Sequence, residues 1–430
     1  MKVTNHIKMV MVDIDQNNNK FWEMWEYDDT STKTRWGRVS ETDKAQEKSY
    51  PPGVKNFEKT WREKERKGYR RVETIGDQDV KIASLSGGGL KDIAVKQVAQ
   101  GDKIIEALVS YLVRKNRHTI TQNTLLKYDE ATGLFRTPIG IVTQQNIDDA
   151  RVSLSKIVRF VTNKQFEDVA YHDLLKKYMT LIPTDVGRAR GWHKTFLPDM
   201  NAVSGQNSIL DALQASLDTI LSGHDDKNKK DDAKKEEKVF NVKLKLNEDQ
   251  GVFQKVRALY QKTRQATHSC HHLDVVKVYD VSIAHMEEAF EKHAIKMSNI
   301  WQLWHGTQAS NILSILSKGM IIPPANAAHC TGRMYGNGIY ASDQSTKALN
   351  YAYGYWGGSS DPNCFMFLID MAMGKYYIAP GPFSGGPPQG YDSTFAKAGQ
   401  SSVINNEMIA YDTRQVRIKK LVEFAPGGSR

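Results

Sequence analysis

Cysteine is scarce in this sequence of 430 residues. The three cysteines are Cys270, Cys330 and Cys364. They are too few and too scattered for a disulfide framework or a four-cysteine zinc site, so a disulfide-stabilised extracellular fold is excluded and a reducing compartment fits best. Cys270, His271 and His272, with His329 and Cys330, offer metal-binding side chains. Adjacent ligands rarely complete a tetrahedral site, and we therefore expect no structural metal.

Long apolar runs are missing as well. No run of about 18 apolar residues, the length that a membrane-spanning helix needs, occurs in the sequence. Asp13 and Asp15 fall where a secretory signal would keep its apolar stretch. We therefore expect an intracellular protein without a membrane segment.

Basic residues exceed acidic residues. The chain has 59 lysines and arginines against 49 acidic residues, which gives a formal net charge of +10. This balance favours an anionic partner, with nucleic acid first, while solubility alone is the alternative explanation. The length exceeds what one hydrophobic core usually organises, and we expect three domains.

The first predicted domain spans residues 1–85. Its short runs of alternating apolar and polar residues, such as FWEMWEY and TRWGRV, are typical of antiparallel strands. Phe57, Trp61 and Tyr69 follow at helical intervals, so one helix should pack against a small sheet. The glycines at 87–89 then indicate a flexible linker.

The second predicted domain spans residues 95–223 and is all-α. Segments such as KIIEALVSYLV and SILDALQASLDTIL carry apolar stripes at the spacing of an amphipathic helix. Residues 224–238 are almost wholly charged and are expected to form a solvated linker or loop.

The third predicted domain spans residues 239–430 and is α+β. Strand-like segments such as FMFLID and QVRIKKLVEF alternate with predicted helices around 248–266, 285–297 and 308–318. The expected fold class of the whole chain is therefore α+β and multidomain, with a small antiparallel sheet, a helical bundle and an α+β domain.

Three short clusters in the last domain carry chemically capable side chains. They are LWHGT at 303–307, YGNGIYAS at 335–342 and NNEMIAYD at 405–412. Singly, each has an ordinary structural explanation, because histidine, tyrosine and glutamate often serve packing or the surface. In this order and lettering they resemble the His-Tyr-Glu signature of the diphtheria-toxin-like ADP-ribosyltransferases, specifically the poly(ADP-ribose) polymerase family.

The resemblance implies an active site that consumes NAD, with Glu407, His305 and Tyr340 as its catalytic set. Glu407 would bond a ribose hydroxyl, and its charge would stabilise the positive charge that builds as nicotinamide departs. His305 would hold the adenosine-side ribose, and the Gly306 backbone would pair with the nicotinamide carboxamide. Tyr340 and Tyr351 would sandwich the nicotinamide ring. Weaker contacts on the adenosine side would come from Thr307 and Asn311.

The sequence departs from the family pattern at three positions. Ala348 stands where well-known members have a serine that bonds the carboxamide, which removes about 1 kcal/mol of hydrogen bonding unless Ser345 compensates. Ile321 replaces an arginine over the adenine, and Asn337 replaces a lysine near the donor loop. These changes weaken the expected adenine contacts but leave the triad intact.

The upstream segments extend the resemblance. Trp36, Gly37 and Arg38 look like the Trp-Gly-Arg (WGR) motif of a domain found beside these catalytic domains. A tryptophan that stacks on a terminal sugar and an arginine that pairs with a phosphate would suit a DNA end with a 5′ phosphate. The alternative is a tryptophan packed in a sheet beside a surface arginine.

The helical segments resemble a regulatory domain of the DNA-dependent family members. GIVTQQNIDDARVSL and YMTLIPTDVG carry this resemblance. It implies helices that block NAD until DNA engagement opens them, which is a shift between two states. Asp211 would face the nucleotide cleft, although a solvated helix face explains a single acid equally well.

The resemblance as a whole implies a DNA-break sensor that uses NAD as substrate, needs no metal and modifies protein acceptors, itself included. The presence of Glu407 favours polymer formation. The alternatives are transfer of a single ADP-ribose, an inactive DNA-binding scaffold, and hydrolysis of NAD by water. We expect a nuclear protein, or a cytosolic one if the source has no nucleus, that is monomeric without DNA.

Overall fold

The computed structural model describes residues 1–14, 19–72, 90–129, 134–137, 140–186, 190–221, 239–322, 334–354 and 363–427. It divides into two compact units, Met1–Gly87 with His118–Leu217 and Gly88–Arg117 with Asp218–Arg430. The linkers expected at 87–89 and 224–238 lie outside the described residues. Among the described helices, none is both long and apolar enough to cross a membrane.

The first unit begins with an antiparallel sheet, as the sequence predicted. Its strands are β1 (Val3–Met11), β2 (Lys20–Tyr27), β3 (Thr32–Arg38), β4 (Gln46–Tyr50) and β5 (Arg70–Arg71), in the order β4-β3-β2-β1-β5. The helix Phe57–Arg66 follows, and the Asn56 side chain caps it by accepting from the Lys59 amide at 2.9 Å. Phe57 and Trp61 on this helix pack against Met9 and Trp22 of the sheet.

The first unit also holds a group of helices, and the 3.6-residue spacing of apolar side chains predicted all of them except the short helix Trp192–Phe196. They are Gln144–Thr162, Val169–Leu181, Trp192–Phe196 and Met200–Leu221. Thr143 and Asn146 form a reciprocal capping box at the start of the first of them. Three short strands, β6 (Lys127–Tyr128), β7 (Phe135–Thr137) and β8 (Gly140–Ile141), add a small antiparallel sheet that the sequence did not predict.

The second unit is built on two sheets. Its strands are β9 (Val242–Leu246), β10 (Leu273–Ile283), β11 (Ile300–Gly306), β12 (Ile339–Ala341), β13 (Cys364–Ala372), β14 (Tyr376–Ile378), β15 (Ser393–Ala396), β16 (Glu407–Ala410) and β17 (Val416–Pro426). One sheet has the order β11-β13-β17-β10-β9 and is antiparallel. The other has the order β12-β16-β15-β14, in which only β14 and β15 run parallel. The helices around them are Gln250–Lys262, Ala284–His293, Ile312–Lys318 and Ser345–Tyr353. The mixed α+β fold expected for this part of the chain is confirmed.

A long helix, Lys103–Asn123, enters the core of the second unit with its first fifteen residues. Ile105, Leu108, Val109 and Leu112 lie on one face and are buried in the same hydrophobic core as Leu303 of β11. Part of the segment that we predicted to be a helical domain therefore packs in one core with the sheets that follow it in the chain. The domain bounds 1–85, 95–223 and 239–430 stay a prediction.

Candidate active site

The candidate site lies where the two sheets of the second unit meet. β11 and the residue after β12 form a bridge, in which Trp304 N donates to Ser342 O at 2.9 Å and Ser342 N donates to Trp304 O at 3.0 Å. One residue along β11, His305 Nδ1 is 2.8 Å from the Tyr340 carbonyl. These contacts bring two of the three predicted catalytic residues side by side.

His305 is held in one protonation state. Burial lowers the pKa of its imidazole below the ordinary value of 6.5, so the ring is neutral at pH 7. Because a carbonyl only accepts, the proton of the neutral ring sits on Nδ1 and is donated to Tyr340 O. Nε2 therefore keeps a lone pair and can accept a hydrogen bond from a hydroxyl group.

Gly306, at the end of β11, is required by a close backbone approach. A Cβ atom at this position would lie 1.7 Å from the carbonyl oxygen of Ala348 in the helix Ser345–Tyr353. No side chain fits there. Because glycine has no Cβ, the strand and the helix approach more closely than any other residue at position 306 would allow. The same helix carries Lys347 and Tyr351, so the glycine fixes their distance from His305.

The two predicted nicotinamide-binding tyrosines are both half-buried. The Tyr340 hydroxyl donates to Gly336 O at 2.8 Å and accepts from Tyr335 N at 3.0 Å, which fixes its ring. Burial raises the pKa of Tyr351, and the negative charge of Glu407 adds to that rise. Tyr351 therefore lies within the electrostatic reach of the third predicted catalytic residue.

Glu407 begins β16 and is only 7% exposed. Its Oε1 contacts the Lys347 ammonium in a short ion pair, while its Oε2 is buried and has no hydrogen-bond partner among the residues that the structure describes. Burial lowers the pKa of Lys347, and the charge of Glu407 opposes that shift. The site thus contains a buried carboxylate with one oxygen available to a ligand, which is an unusual and costly arrangement.

Neighbouring polar groups hold this carboxylate in place. Ser342 Oγ donates to the backbone carbonyl of Asn406 at 2.8 Å, and Asn406 Nδ2 donates to Asp343 at 2.8 Å.

His268 binds Thr346 Oγ1 through Nδ1 at 2.8 Å, and burial together with the charge of Lys347 lowers the pKa of His268. Sequence reasoning missed Lys347 and His268. For Lys347 a signal existed, since it precedes Tyr351 by four residues and so shares a helix face with it.

The weaker predicted contacts lie near the end of β11. Thr307 and Asn311 are half-buried and joined by a hydrogen bond of 3.4 Å from Asn311 Nδ2. Asn116, on the long helix Lys103–Asn123, donates to the carbonyl of the adjoining Ser310 at 3.0 Å. The long helix therefore touches the segment expected to bind the adenosine side.

The positions that depart from the family pattern differ in their surroundings. Ala348 is buried, whereas Ile321 is 49% exposed. Asn337 has a buried Oδ1 that no donor reaches in the described ranges of the chain. The Ser345 hydroxyl donates to Tyr260 O at 2.7 Å, so its hydrogen is not available to replace the missing serine.

The remaining predicted site residues belong to the first unit. Asp211 forms an ion pair of 2.7 Å with Arg151, and its predicted role at the nucleotide cleft stays a prediction. Trp36 is half-buried and packs against the hydrophobic cluster of the first sheet. Gly37 and Arg38 end β3 beside it. Their predicted contact with DNA also stays a prediction.

The cysteine-centred group is not assembled as a metal site among the residues that the structure describes. Cys270 is buried, and its single S–H has Asn350 Oδ1 at 2.9 Å and Thr346 O at 3.3 Å as acceptors. His271 and His272 each bond a backbone carbonyl through Nδ1. His329 and Cys330 lie outside the described residues.

Two protein-family models match the chain. The poly(ADP-ribose) polymerase catalytic domain matches residues 251–404, and the WGR domain matches residues 6–75. The poly [ADP-ribose] polymerase-like protein 100L of Invertebrate iridescent virus 6 is 31% identical over 160 residues, which cover 84% of that protein and 34% of this chain. This chain belongs to the poly(ADP-ribose) polymerase family.

Relatives within the family match over longer stretches. Poly [ADP-ribose] polymerase 1 of Danio rerio is 26% identical over 331 residues, which cover 68% of this chain and 31% of that protein. Protein mono-ADP-ribosyltransferase PARP3 of Homo sapiens is 23% identical over 425 residues, which cover 91% of this chain and 74% of that protein. The chain thus spans about a third of the length of the polymerase 1 relative. His305, Tyr340 and Tyr351 fall inside the matched catalytic range, and Glu407 lies just beyond it.

Proposed function

We propose that the chain is a transferase that takes ADP-ribose from NAD, attaches it to protein acceptors including itself, and extends it into poly(ADP-ribose). The observation that carries this proposal is the buried Glu407 carboxylate, which contacts Lys347 through one oxygen and, within the described part of the chain, has no hydrogen-bond partner at the other. An unpaired buried acceptor costs about 1–3 kcal/mol until a ligand supplies a donor. A ribose hydroxyl is such a donor, so the residues present fit NAD.

The chemistry requires a negative charge at this position. NAD supplies an activated ribose, whose bond to nicotinamide breaks while a bond to an acceptor oxygen forms and the acceptor proton passes to solvent. Because positive charge builds on the sugar as nicotinamide leaves, Glu407 would stabilise the transition state electrostatically. In elongation the same carboxylate would polarise the hydroxyl of the preceding ADP-ribose unit.

The other residues would bind and orient the substrate. His305 Nε2 would accept a hydrogen bond from the adenosine-side ribose, and the Gly306 backbone would meet the carboxamide. Tyr340 and Tyr351 would hold the nicotinamide ring between them. Lys347 would keep the carboxylate in position before substrate binds, because a buried ion pair is held more rigidly than an exposed one.

DNA with strand breaks is the proposed trigger. The match to the WGR domain and the net charge of +10 support a nucleic-acid partner for residues 1–85, with Trp36, Gly37 and Arg38 as proposed contacts to a 5′-phosphate end. A break sensor of this kind would act in the nucleus and be monomeric without DNA. Residues 95–223 would restrain residues 239–430 until DNA binds, with Asp211 at the nucleotide cleft.

The test is incorporation of labelled NAD into the purified chain, with and without a nicked duplex that carries a 5′ phosphate. We expect DNA to stimulate incorporation and the product to run as a high-mass smear on a denaturing gel. No incorporation in either condition, despite tight duplex binding, would leave a DNA-binding scaffold instead. Free ADP-ribose without modified protein would indicate hydrolysis by water.

Transfer of a single ADP-ribose is the second candidate function. It is favoured by the relative named protein mono-ADP-ribosyltransferase PARP3, which matches 91% of this chain. The same gel separates the two candidates, because a single addition gives a sharp band and elongation gives a smear. A DNA-stimulated sharp band would retain the transferase and reject the polymer.

The contact between Asn116 and Ser310 gives a prediction about regulation. Asn116→Ala removes a hydrogen bond of 3.0 Å that ties the long helix to the segment before Asn311. A loss of about 1 kcal/mol shifts a two-state equilibrium about fivefold, so DNA-independent incorporation should rise by about that factor. The rate without DNA, relative to the rate with saturating DNA, is the measurement.

Asn123→Ala is the matched control for this prediction. Asn123 lies on the same helix, is exposed, and donates to the carbonyl of Thr119 in its own helix. Its basal rate should stay at the wild-type value. If Asn116→Ala lowers the melting temperature without raising the basal rate, the contact is structural and does not restrain the site.

A further inference from the structure

A second cluster of ligand-type side chains lies in the helical part of the first unit. Glu167 precedes the helix Val169–Leu181, His172 lies in its first turn, and His193 lies on the short helix Trp192–Phe196. One ligand atom from each residue lies within 4.8 Å of the other two. The irregular spacing of these residues in the sequence gave no motif, so sequence analysis missed the cluster.

His193 is the most buried member of this cluster. It is 7% exposed, and among the residues that the structure describes neither of its ring nitrogens has a hydrogen-bond partner. Its Nε2 is 3.7 Å from Glu167 Oε2, which is too long for a hydrogen bond. Buried polar groups are almost always satisfied, so an orphaned imidazole that faces a carboxylate points to a missing ligand between them.

His172 is already arranged as a metal-binding histidine. Its Nε2 is 2.9 Å from the carbonyl of Phe166, and because a carbonyl only accepts, this nitrogen carries a proton. In the neutral ring, Nδ1 is then the nitrogen with the lone pair. A histidine that ligates a metal usually donates its other ring N–H to a carbonyl or carboxylate in this way, which fixes its orientation. The His172 and His193 rings meet edge to face with centroids 4.8 Å apart.

The three ligand atoms lie within 4.8 Å of one another and would have to move closer together to form a tetrahedral site. Nitrogen and oxygen ligands bound at about 2.0–2.1 Å from Zn²⁺ lie about 3.3 Å from one another, which compares with the 3.7 Å between His193 and Glu167. Glu167 is mostly exposed, so water can complete the coordination. Lys194 opposes a cation, because its Nζ lies 2.5 Å from Glu167 Oε1. It leaves Oε2, the oxygen nearer His193, to the metal.

We propose that Glu167, His172 and His193 bind a divalent transition metal, with Zn²⁺ as the best match for two imidazoles, one carboxylate and a water. The site is separate from the proposed NAD site and does not depend on it. It departs from our expectation of no metal, which considered only residues near the cysteines. Bound metal would link the helix Val169–Leu181 to the helix Trp192–Phe196.

The test is metal binding by the full chain without a histidine tag. Co²⁺ serves as the spectroscopic probe, and its intense d–d bands report a four-coordinate site with one equivalent bound. Zn²⁺ should displace Co²⁺ and raise the melting temperature. Glu167→Gln and His172→Gln, neither of which empties the core, should each weaken Zn²⁺ binding at least about tenfold. Lys194→Met should strengthen it, because a competing cation is removed.

The control replaces another pair of histidines. His271→Gln with His272→Gln removes two exposed, adjacent rings of the second unit, which bind metals weakly on many proteins. This double variant should keep the Co²⁺ spectrum and the Zn²⁺ affinity. The proposal is overturned if the wild-type chain shows no four-coordinate Co²⁺ spectrum. It is also overturned if the spectrum is lost in the control and retained in both Glu167→Gln and His172→Gln.

Discussion

Replacing Glu407 with glutamine is expected to lower ADP-ribose transfer by about 10²–10³-fold, the effect of removing one preorganised group from a buried site. Glutamine keeps the shape of the side chain but has no negative charge to oppose the charge on the ribose. Elongation should fail first, because it also requires the carboxylate to polarise the attacking hydroxyl. Labelled-NAD incorporation with a nicked duplex present measures both effects, as total label and as product length.

The same substitution removes the partner of the buried Lys347 ammonium, so loss of stability must be separated from loss of chemistry. Breaking a buried pair from one side costs about 3–5 kcal/mol. Glu423→Gln is the matched control, since Glu423 is also a buried carboxylate with a lysine partner. Its Oε2 accepts from the Tyr279 hydroxyl at 2.9 Å and lies 3.3 Å from Lys277 Nζ. It should lose stability but keep transfer. If Glu407→Gln keeps its polymer smear, the proposed role of this carboxylate is wrong.

Much of the fold followed from local pattern alone. Strand β9 alternates buried and exposed side chains, and the helix Phe57–Arg66 begins after an asparagine that caps it. Strands β6 and β8 escaped prediction because two residues are too few to show a period. Local pattern also predicted the helix Lys103–Asn123. It did not predict that the first residues of this helix enter the core of the second unit, because a stripe of apolar residues does not show which surface it packs against.

The residues of the candidate site were predictable from the sequence, but their geometry was not. His305, Tyr340 and Glu407 belong to three short sequence motifs that lie far apart in the chain. That His305 donates to the Tyr340 carbonyl depends on a bridge between two sheets, which no local signal shows. The pairing of Lys347 with Glu407 is likewise a tertiary contact. The cluster around His193 was missed for the same reason, because its ligands converge only through the packing of two helices.

Replacing Gly306 with alanine is expected to lower transfer by about 10²-fold while the protein still folds. The new methyl group would stand 1.7 Å from the Ala348 carbonyl, so the helix Ser345–Tyr353 must move away from β11. Overpacking of this kind costs about 1–3 kcal/mol of stability. The larger effect is on geometry, because that helix carries Lys347 and Tyr351, and a displacement of about 1 Å is enough to cost about 10²-fold in rate.

Gly205→Ala distinguishes this steric effect from the general effect of replacing a glycine. Gly205 lies within the helix Met200–Leu221, and a Cβ atom there would meet no atom of the described residues within 4 Å. Alanine should stabilise that helix by about 0.8–1 kcal/mol and leave transfer unchanged. Melting temperature and nicotinamide affinity are measured for both variants. If Gly306→Ala keeps the wild-type affinity for nicotinamide, the helix Ser345–Tyr353 can move without disturbing the site. The proposed link between strand packing and nicotinamide binding would then be wrong.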